Sequence, residues 1–174
     1  RGAIRSVVLQ GAGDHFCPGG NLYRDKELTS AESLAVAARA IIHLFDGFYG
    51  LRRTPVPAIC AVHGTVLGGG LAISLFGDYV LCSESATFQV GELSRGIYPA
   101  ALLTQTLAEA AGAEAATRLY LTEVKLTGAQ ALEMGVAQAL APSASDAQQL
   151  ACGLARWCAT SDGEAICKLQ VELY

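Results

Sequence analysis

The sequence predicts a layered α/β fold, and three observations carry that prediction. Apolar runs of strand length alternate with segments of helical periodicity. Two of those runs end in glycine-rich turns at points where a helix can begin. Over residues 1–99 the order reads β-α-β-α-β-β, which calls for right-handed crossovers in a layered sheet.

The elements follow in chain order. Ser6-Val-Val-Leu-Gln10 reads as a strand, and Phe16-Cys-Pro-Gly-Gly-Asn-Leu22 as the first glycine turn. Thr29-Ser-Ala-Glu32 is a capping box, in which hydroxyl and carboxylate satisfy amides that a helix start leaves free. The helix it opens carries Leu34, Ala38, Ile41, Ile42, Phe45, Phe48 and Tyr49 on one face. Pro55 and Pro57 end it and lead into the strand Val56–Val62. The second glycine turn is His63-Gly-Thr-Val-Leu-Gly-Gly-Gly-Leu71, and Gly69–Gly77 reads as a short buried helix. Tyr79–Ser83 and Ala86–Val90 are strands. From Ala100 the pattern turns helical and Ala/Leu-rich. Thr127-Gly-Ala-Gln130 is a second capping box before Ala129–Met134, with Gly135 as the stop. Gly135–Leu140 reads as a returning strand, and Ser145 and Ser161 (with Glu164) open two final amphipathic helices.

Composition narrows the class. With 174 residues, the chain fits a single domain, 1–174, with a sizeable core. It is 52% hydrophobic and 16% charged, so it is either very well buried or hides apolar surface against partner subunits. A net charge of −4 and the lack of a Lys/Arg cluster argue against nucleic acid as a partner. No apolar run is long enough to span a bilayer, which argues against a membrane protein. No signal or transit peptide is legible at the start. The six cysteines show neither CxxC nor zinc spacing, and a reducing compartment, cytoplasmic or organellar, is the simplest inference. Cys60 and Cys82 read as small core residues.

Several motif matches fail on their own terms. Gly11-Ala-Gly13 follows a strand, but the sixth position of a dinucleotide fingerprint is Phe16. Gly68-Gly-Gly70 leads into Leu71 and Ala72 rather than Lys-Ser/Thr, so it is no phosphate loop. There is no Gly-x-Ser-x-Gly elbow, and the three histidines lack metal spacing. His15 and His43 read as structural or solvent-facing, and Cys17 as a small buried residue. One glycine turn alone is best read as packing. Two of the same kind, each at a strand-to-helix junction, can aim two free backbone N–H groups at one carbonyl oxygen, the requirement for an oxyanion hole.

The chain resembles the crotonase (enoyl-CoA hydratase/isomerase) superfamily. The likeness runs through Val7–Gly11, Phe16–Leu22, Pro57–Gly64, Gly68–Gly70, Asp78–Cys82, Ala86–Phe88, Glu92, Gly96, Pro99 and Leu126–Val136. It implies an α/β fold with a ββα-superhelix spiral core over 1–99 and a mainly helical part over 100–174. It also implies a chain shorter than the family's usual domain, lacking opening strands. By position, the resemblance assigns the oxyanion amides to Gly20 and Gly69, with Gly69 at the start of a helix whose dipole favours negative charge. Asn21 stands where the family often has aspartate, and Gly68 belongs to the same turn. Both are candidates for contact with substrate. Asp78 is read as a structural cap.

The family's hydratases use two glutamates. One position is Glu92, in Gly91-Glu-Leu-Ser94, whose bland alternative is a solvated loop carboxylate. The other falls on Ala72, which cannot transfer a proton. A single carboxylate still suffices for moving a proton between carbons of an enoyl thioester or for assisting loss of water from a 3-hydroxyacyl thioester. Decarboxylation needs the oxyanion hole more than the base. Tyr98 can donate a hydrogen bond to substrate, although packing is the commoner role for an aromatic. The pattern Glu-Leu…Gly…Pro-Ala is similar to that of polyketide β-branching dehydratases, which adds an acyl-carrier-protein thioester to acyl-CoA as a substrate. No cofactor is implied beyond the coenzyme A or phosphopantetheine of the substrate. The family also implies a homotrimer or hexamer, and Leu102, Leu103, Leu107, Leu119 and Leu121 fit subunit packing. A different class of function, a catalytically silent scaffold subunit, stands beside the enzyme because of Ala72 and the short length.

Overall fold

The computed structural model describes residues 4–20, 31–99 and 101–160. In chain order these form strand Val7–Gln10 (β1), helix Ala31–Arg52 (α1), strands Ala58–Val62 (β2) and Thr65–Leu67 (β3), and helix Gly69–Ser74 (α2). Strands Tyr79–Ser83 (β4) and Thr87–Gln89 (β5), a 3-10 turn Leu93–Arg95, and helices Leu103–Ala111 (α3) and Ala113–Thr122 (α4) follow. Strand Leu126–Thr127 (β6), helix Gly128–Glu133 (α5), strand Ala139–Ala141 (β7) and helix Ala144–Cys158 (α6) complete the order.

The strands make two sheets. The first is parallel throughout, in the order β1-β2-β4-β7. The second has the order β3-β5-β6, with β3 parallel and β6 antiparallel to β5. All five residues of β2 are buried, as a central strand covered on both faces requires. Its alternating side chains divide between two clusters. Cys60 and Val62 join Val66, Phe76, Val80, Cys82 and Phe88, whereas Ile59 and Ala61 meet Leu81 and the small residues Ala151, Ala155 and Cys158 of α6. Asp78 fixes the entry to β4: its carboxylate accepts the Ala58 amide at 2.8 Å and its own amide donates to the Ala58 carbonyl at 2.7 Å. It acts as the structural residue the sequence suggests.

The strands β1, β2, β4 and β5 and the helices α1, α2 and α5 fall where the sequence places them. The Thr127–Gln130 capping box is closed on both sides, with Gln130 N–H donating to the Thr127 hydroxyl and Thr127 N–H to the Gln130 carbonyl oxygen of its side chain. Other details differ. The second glycine turn contains a strand, β3. Helix α2 ends at Ser74 rather than Gly77, because Phe76 and Gly77 close back onto Ile73 and Ser74 in i to i−3 bonds. β7 starts later than expected, and α6 is capped by Ser143, whose hydroxyl accepts the Asp146 amide, rather than by Ser145.

Packing corrects three further expectations. Ile42 is 57% exposed, since contact of the described α1 side chains with the core is confined to Phe45, Phe48, Tyr49 and Leu51. Leu103, Leu107 and Leu119 are buried in the chain's own core, leaving only Leu102 and Leu121 outward. Cys17 is half-buried rather than buried. The Thr29–Glu32 box, Asn21 and the helix expected after Ser161 lie outside the described residues. No helix among the described residues is long and apolar enough to cross a membrane.

The capping box offers a local test of this packing. Thr127→Ala should cost about 1 kcal/mol in a urea titration, because one helix amide loses its acceptor while the burial of α5 is unchanged.

Candidate active site

The site is built at the C-terminal ends of β3 and β5, whose pairing runs Thr65 to Thr87, Val66 to Phe88 and Leu67 to Gln89. Both strands then turn through glycine. The Gly68 amide donates to the Gln89 carbonyl at 3.0 Å, extending the ladder by one bond and bringing Gly68 beside the segment Val90–Glu92. Gly68 has φ +53, a left-handed value that favours glycine, and a Cβ there would lie 2.7 Å from Oε1 of Glu92. The Glu92 carboxylate therefore packs against a bare Cα.

Glu92 is only 8% exposed, which rules out the solvated-loop alternative. Its Oε2 is buried with no hydrogen-bond partner among the described residues. Arg95 does not pair with it through a salt bridge there; its guanidinium donates to the Gly91 carbonyl instead. Burial, reinforced by the negative charge of Glu123 and opposed by Arg95, pushes the Glu92 carboxyl up to about 7. At neutral pH it can both take and return a proton.

The first glycine turn meets the second. Cys17 bridges Val66 in parallel register, with its amide on the Thr65 carbonyl at 3.2 Å and its carbonyl accepting Leu67 N–H at 3.1 Å. Gly70 packs so closely on the Cys17 carbonyl that a Cβ would collide with it. Gly19 lies against the Leu67 carbonyl. Among the described residues, nothing lies within 4 Å of where a Cβ on Gly20 or Gly69 would stand. Gly69 is the first residue of α2, and its amide has no acceptor among the described residues.

The other candidates divide. Ala72 is fully buried in α2, within the core cluster, so that position carries no carboxylate and no solvent. Tyr98 is 76% exposed on the segment after the 3-10 turn, which overturns its reading as a packed aromatic. His15 accepts the Thr65 amide on Nδ1, and a ring nitrogen of His63 meets the Gly13 carbonyl, so both brace the loops at the start of β3. One residue at the site escaped sequence reasoning. Glu123 ends α4 in a left-handed conformation, accepts Ser94 N–H on its carboxylate and accepts the Gln89 side chain on its carbonyl. Its only sequence signal is a glutamate at the end of a helical run, where glycine or asparagine is the usual stop.

Parallel strands ending on paired glycine turns, with a desolvated carboxyl beside them, describe a class of site suited to gripping a carbonyl oxygen and moving a neighbouring proton. Comparison with known proteins gives the family. The enoyl-CoA hydratase/isomerase family model matches residues 2–168, and the chain belongs to that family. It is 29% identical over 143 residues to "Enoyl-CoA isomerase/hydratase fer4" of Mycosarcoma maydis, covering 81% of this chain and 50% of that protein. It is 33% identical to the mouse "Enoyl-CoA hydratase domain-containing protein 2, mitochondrial", over 70% of this chain and 40% of that one. Among solved structures, a Thermobifida fusca YX protein of enoyl-CoA hydratase type, in complex with acetoacetyl-CoA, superposes with a TM-score of 0.81 at 28% identity. That alignment covers 97% of this chain and 70% of the other. The chain spans about half the length of curated relatives such as the Mycosarcoma protein. None of the three is described as a polyketide enzyme, and the β-branching likeness goes no further.

Burial of Glu92 makes a prediction about stability. The folded carboxyl holds its proton up to about pH 7, whereas the unfolded one releases it near 4.5. The folded state is thus progressively penalised as pH rises between those values. Glu92→Gln should match the parent in stability at pH 4 and exceed it by on the order of 1–3 kcal/mol at pH 8, in paired thermal or urea melts.

Proposed function

We propose that the chain carries the active site of an acyl-thioester lyase or isomerase that stabilises a thioester enolate and uses Glu92 as its one proton-transfer group. The observation that carries this reading is the Glu92 carboxyl, desolvated against Gly68 of the second glycine turn. In this proposal the thioester carbonyl oxygen accepts hydrogen bonds from the Gly20 and Gly69 amides. These bonds strengthen as the α-carbon gives up its proton and the oxygen gains charge. Losing one such donor typically costs about 10²–10³ in rate. Gly68, Asn21 and Tyr98 are proposed to border the bound acyl group.

The reaction follows from what Glu92 can do alone. As a carboxylate it takes the α-proton of a 3-hydroxyacyl thioester, and the resulting acid returns that proton to the departing hydroxyl, leaving the enoyl product and water. In isomerisation the same proton goes back to a different carbon. Hydration by two glutamates is disfavoured by Ala72, whose position is sealed in the core. Coenzyme A is the favoured carrier, by analogy with the Thermobifida protein crystallised with acetoacetyl-CoA. A trimeric or hexameric assembly remains part of the proposal, with the outward Leu102 and Leu121 as candidate contacts. The second reading, a catalytically silent scaffold, rests on the same buried Ala72, and turnover of any acyl thioester by the purified protein counts against it.

Two outcomes are expected on a panel of enoyl- and 3-hydroxyacyl-CoA esters. Glu92→Gln should lower kcat by about 10²–10⁴ while the circular dichroism spectrum is unchanged, and an unaltered kcat removes Glu92 from the mechanism. In the parent, kcat/KM for α-proton removal should rise with pH and reach half its plateau near pH 7, because the base acts only when ionised. A profile flat from pH 5 to 9 contradicts that role.

A further inference from the structure

Glu123 belongs to α4, outside the two glycine turns, yet it touches the segment that carries Glu92 at two places. We propose that Glu123 is a positioning residue for Glu92, clamping residues 89–94 from the end of α4 while setting a fixed negative charge beside the buried carboxyl. The clamp is bidentate in effect. The Glu123 carbonyl accepts the Gln89 side-chain amide at 2.8 Å, and its Oε1 accepts the Ser94 amide at 3.1 Å. These contacts bracket Glu92 on either side along the chain. Glu123 makes both from φ +49 and ψ +28, a conformation that glycine or asparagine adopts with less strain.

Among the described residues, the charges that act on Glu92 are those of Glu123, at the end of α4, and Arg95, in the 3-10 turn; from the β3–α2 junction it meets the Gly68 backbone. Arg95 is committed to the Gly91 carbonyl, so it only partly offsets Glu123. Hydrogen bonding from Ser94 holds the Glu123 carboxyl below the usual carboxylate range, so it stays ionised while Glu92 titrates. The pair thus divides the work: one carboxyl holds a constant charge, and the other exchanges a proton. This assignment rests on the reading of Glu92 as the proton-transfer group, but the titration that decides it does not need turnover.

The test is a ¹³C NMR titration of the Glu92 carboxyl, assigned with Glu92→Gln, in the parent protein, Glu123→Gln and Glu123→Gly. Glu123→Gln keeps an oxygen acceptor for Ser94 and removes the charge, and should lower the Glu92 midpoint by roughly half a unit. Glu123→Gly also removes the acceptor, and should in addition lower kcat more than it changes KM. A Glu92 midpoint unchanged in Glu123→Gln overturns the assignment, whether or not Glu92→Gln retains turnover. A lowered midpoint together with full turnover of Glu92→Gln upholds the positioning role and removes the proposed reaction instead.

Discussion

Contact between the Glu92 carboxyl and the bare Cα of Gly68 is the constraint on which the site depends. A Cβ at residue 68 would crowd Oε1 at 2.7 Å and push the carboxylate aside, and the φ there is one that glycine tolerates best. Taking the carboxyl out of water with no compensating ion pair among the described residues is expensive, and the group answers by holding its proton to about neutral pH. The fold therefore carries a local destabilisation as its charge develops, a usual companion of acid–base chemistry.

The surrounding architecture holds those two residues together. β3 and β5 are each three residues long, too short to be stable as an isolated pair, and they are anchored by buried Val66 and Phe88 in the core shared with β2 and β4. Their parallel register sends both chains out of the sheet at the same end, so two turns distant in sequence arrive side by side. Sites at the carboxyl ends of parallel strands are a general property of α/β folds. The first glycine turn joins them through the Cys17–Val66 bridge, which makes β3 the common partner of both segments.

How much of this can be read from sequence depends on the length scale involved. β2 and β4 are apolar runs with clear borders, and the Thr127 box is a contact between residues three apart, so each is legible locally. β3 is not, because Thr65-Val-Leu67 is only three residues between glycines and gains its strand character from pairing with β5 and Cys17. β6, two residues long, is hidden for the same reason. Glu92 is identifiable as a position through family resemblance, but its carboxylate lies against the bare Cα of a residue 24 positions earlier, a contact that no local pattern encodes. Tyr98 and Ile42 err in the opposite direction, since apolar identity alone does not say where the core ends. Glu123 is the least legible, for its role is created by side chains and amides that meet only after α4 is packed.

Ala72 gives the site its particular character. With that position sealed in the core, the proposed reaction has one carboxyl for its proton transfer, and it must pass through an enolate. Deuterium exchange tests it most directly: saturated and unsaturated acyl-CoA esters incubated with the protein in D₂O, with label at the acyl carbons followed by mass spectrometry. Exchange is expected at the α-carbon (or the γ-carbon of an enoyl ester) in the parent protein, with near loss in Glu92→Gln. Equal exchange in both proteins, or turnover of an ester without any exchange, would contradict it.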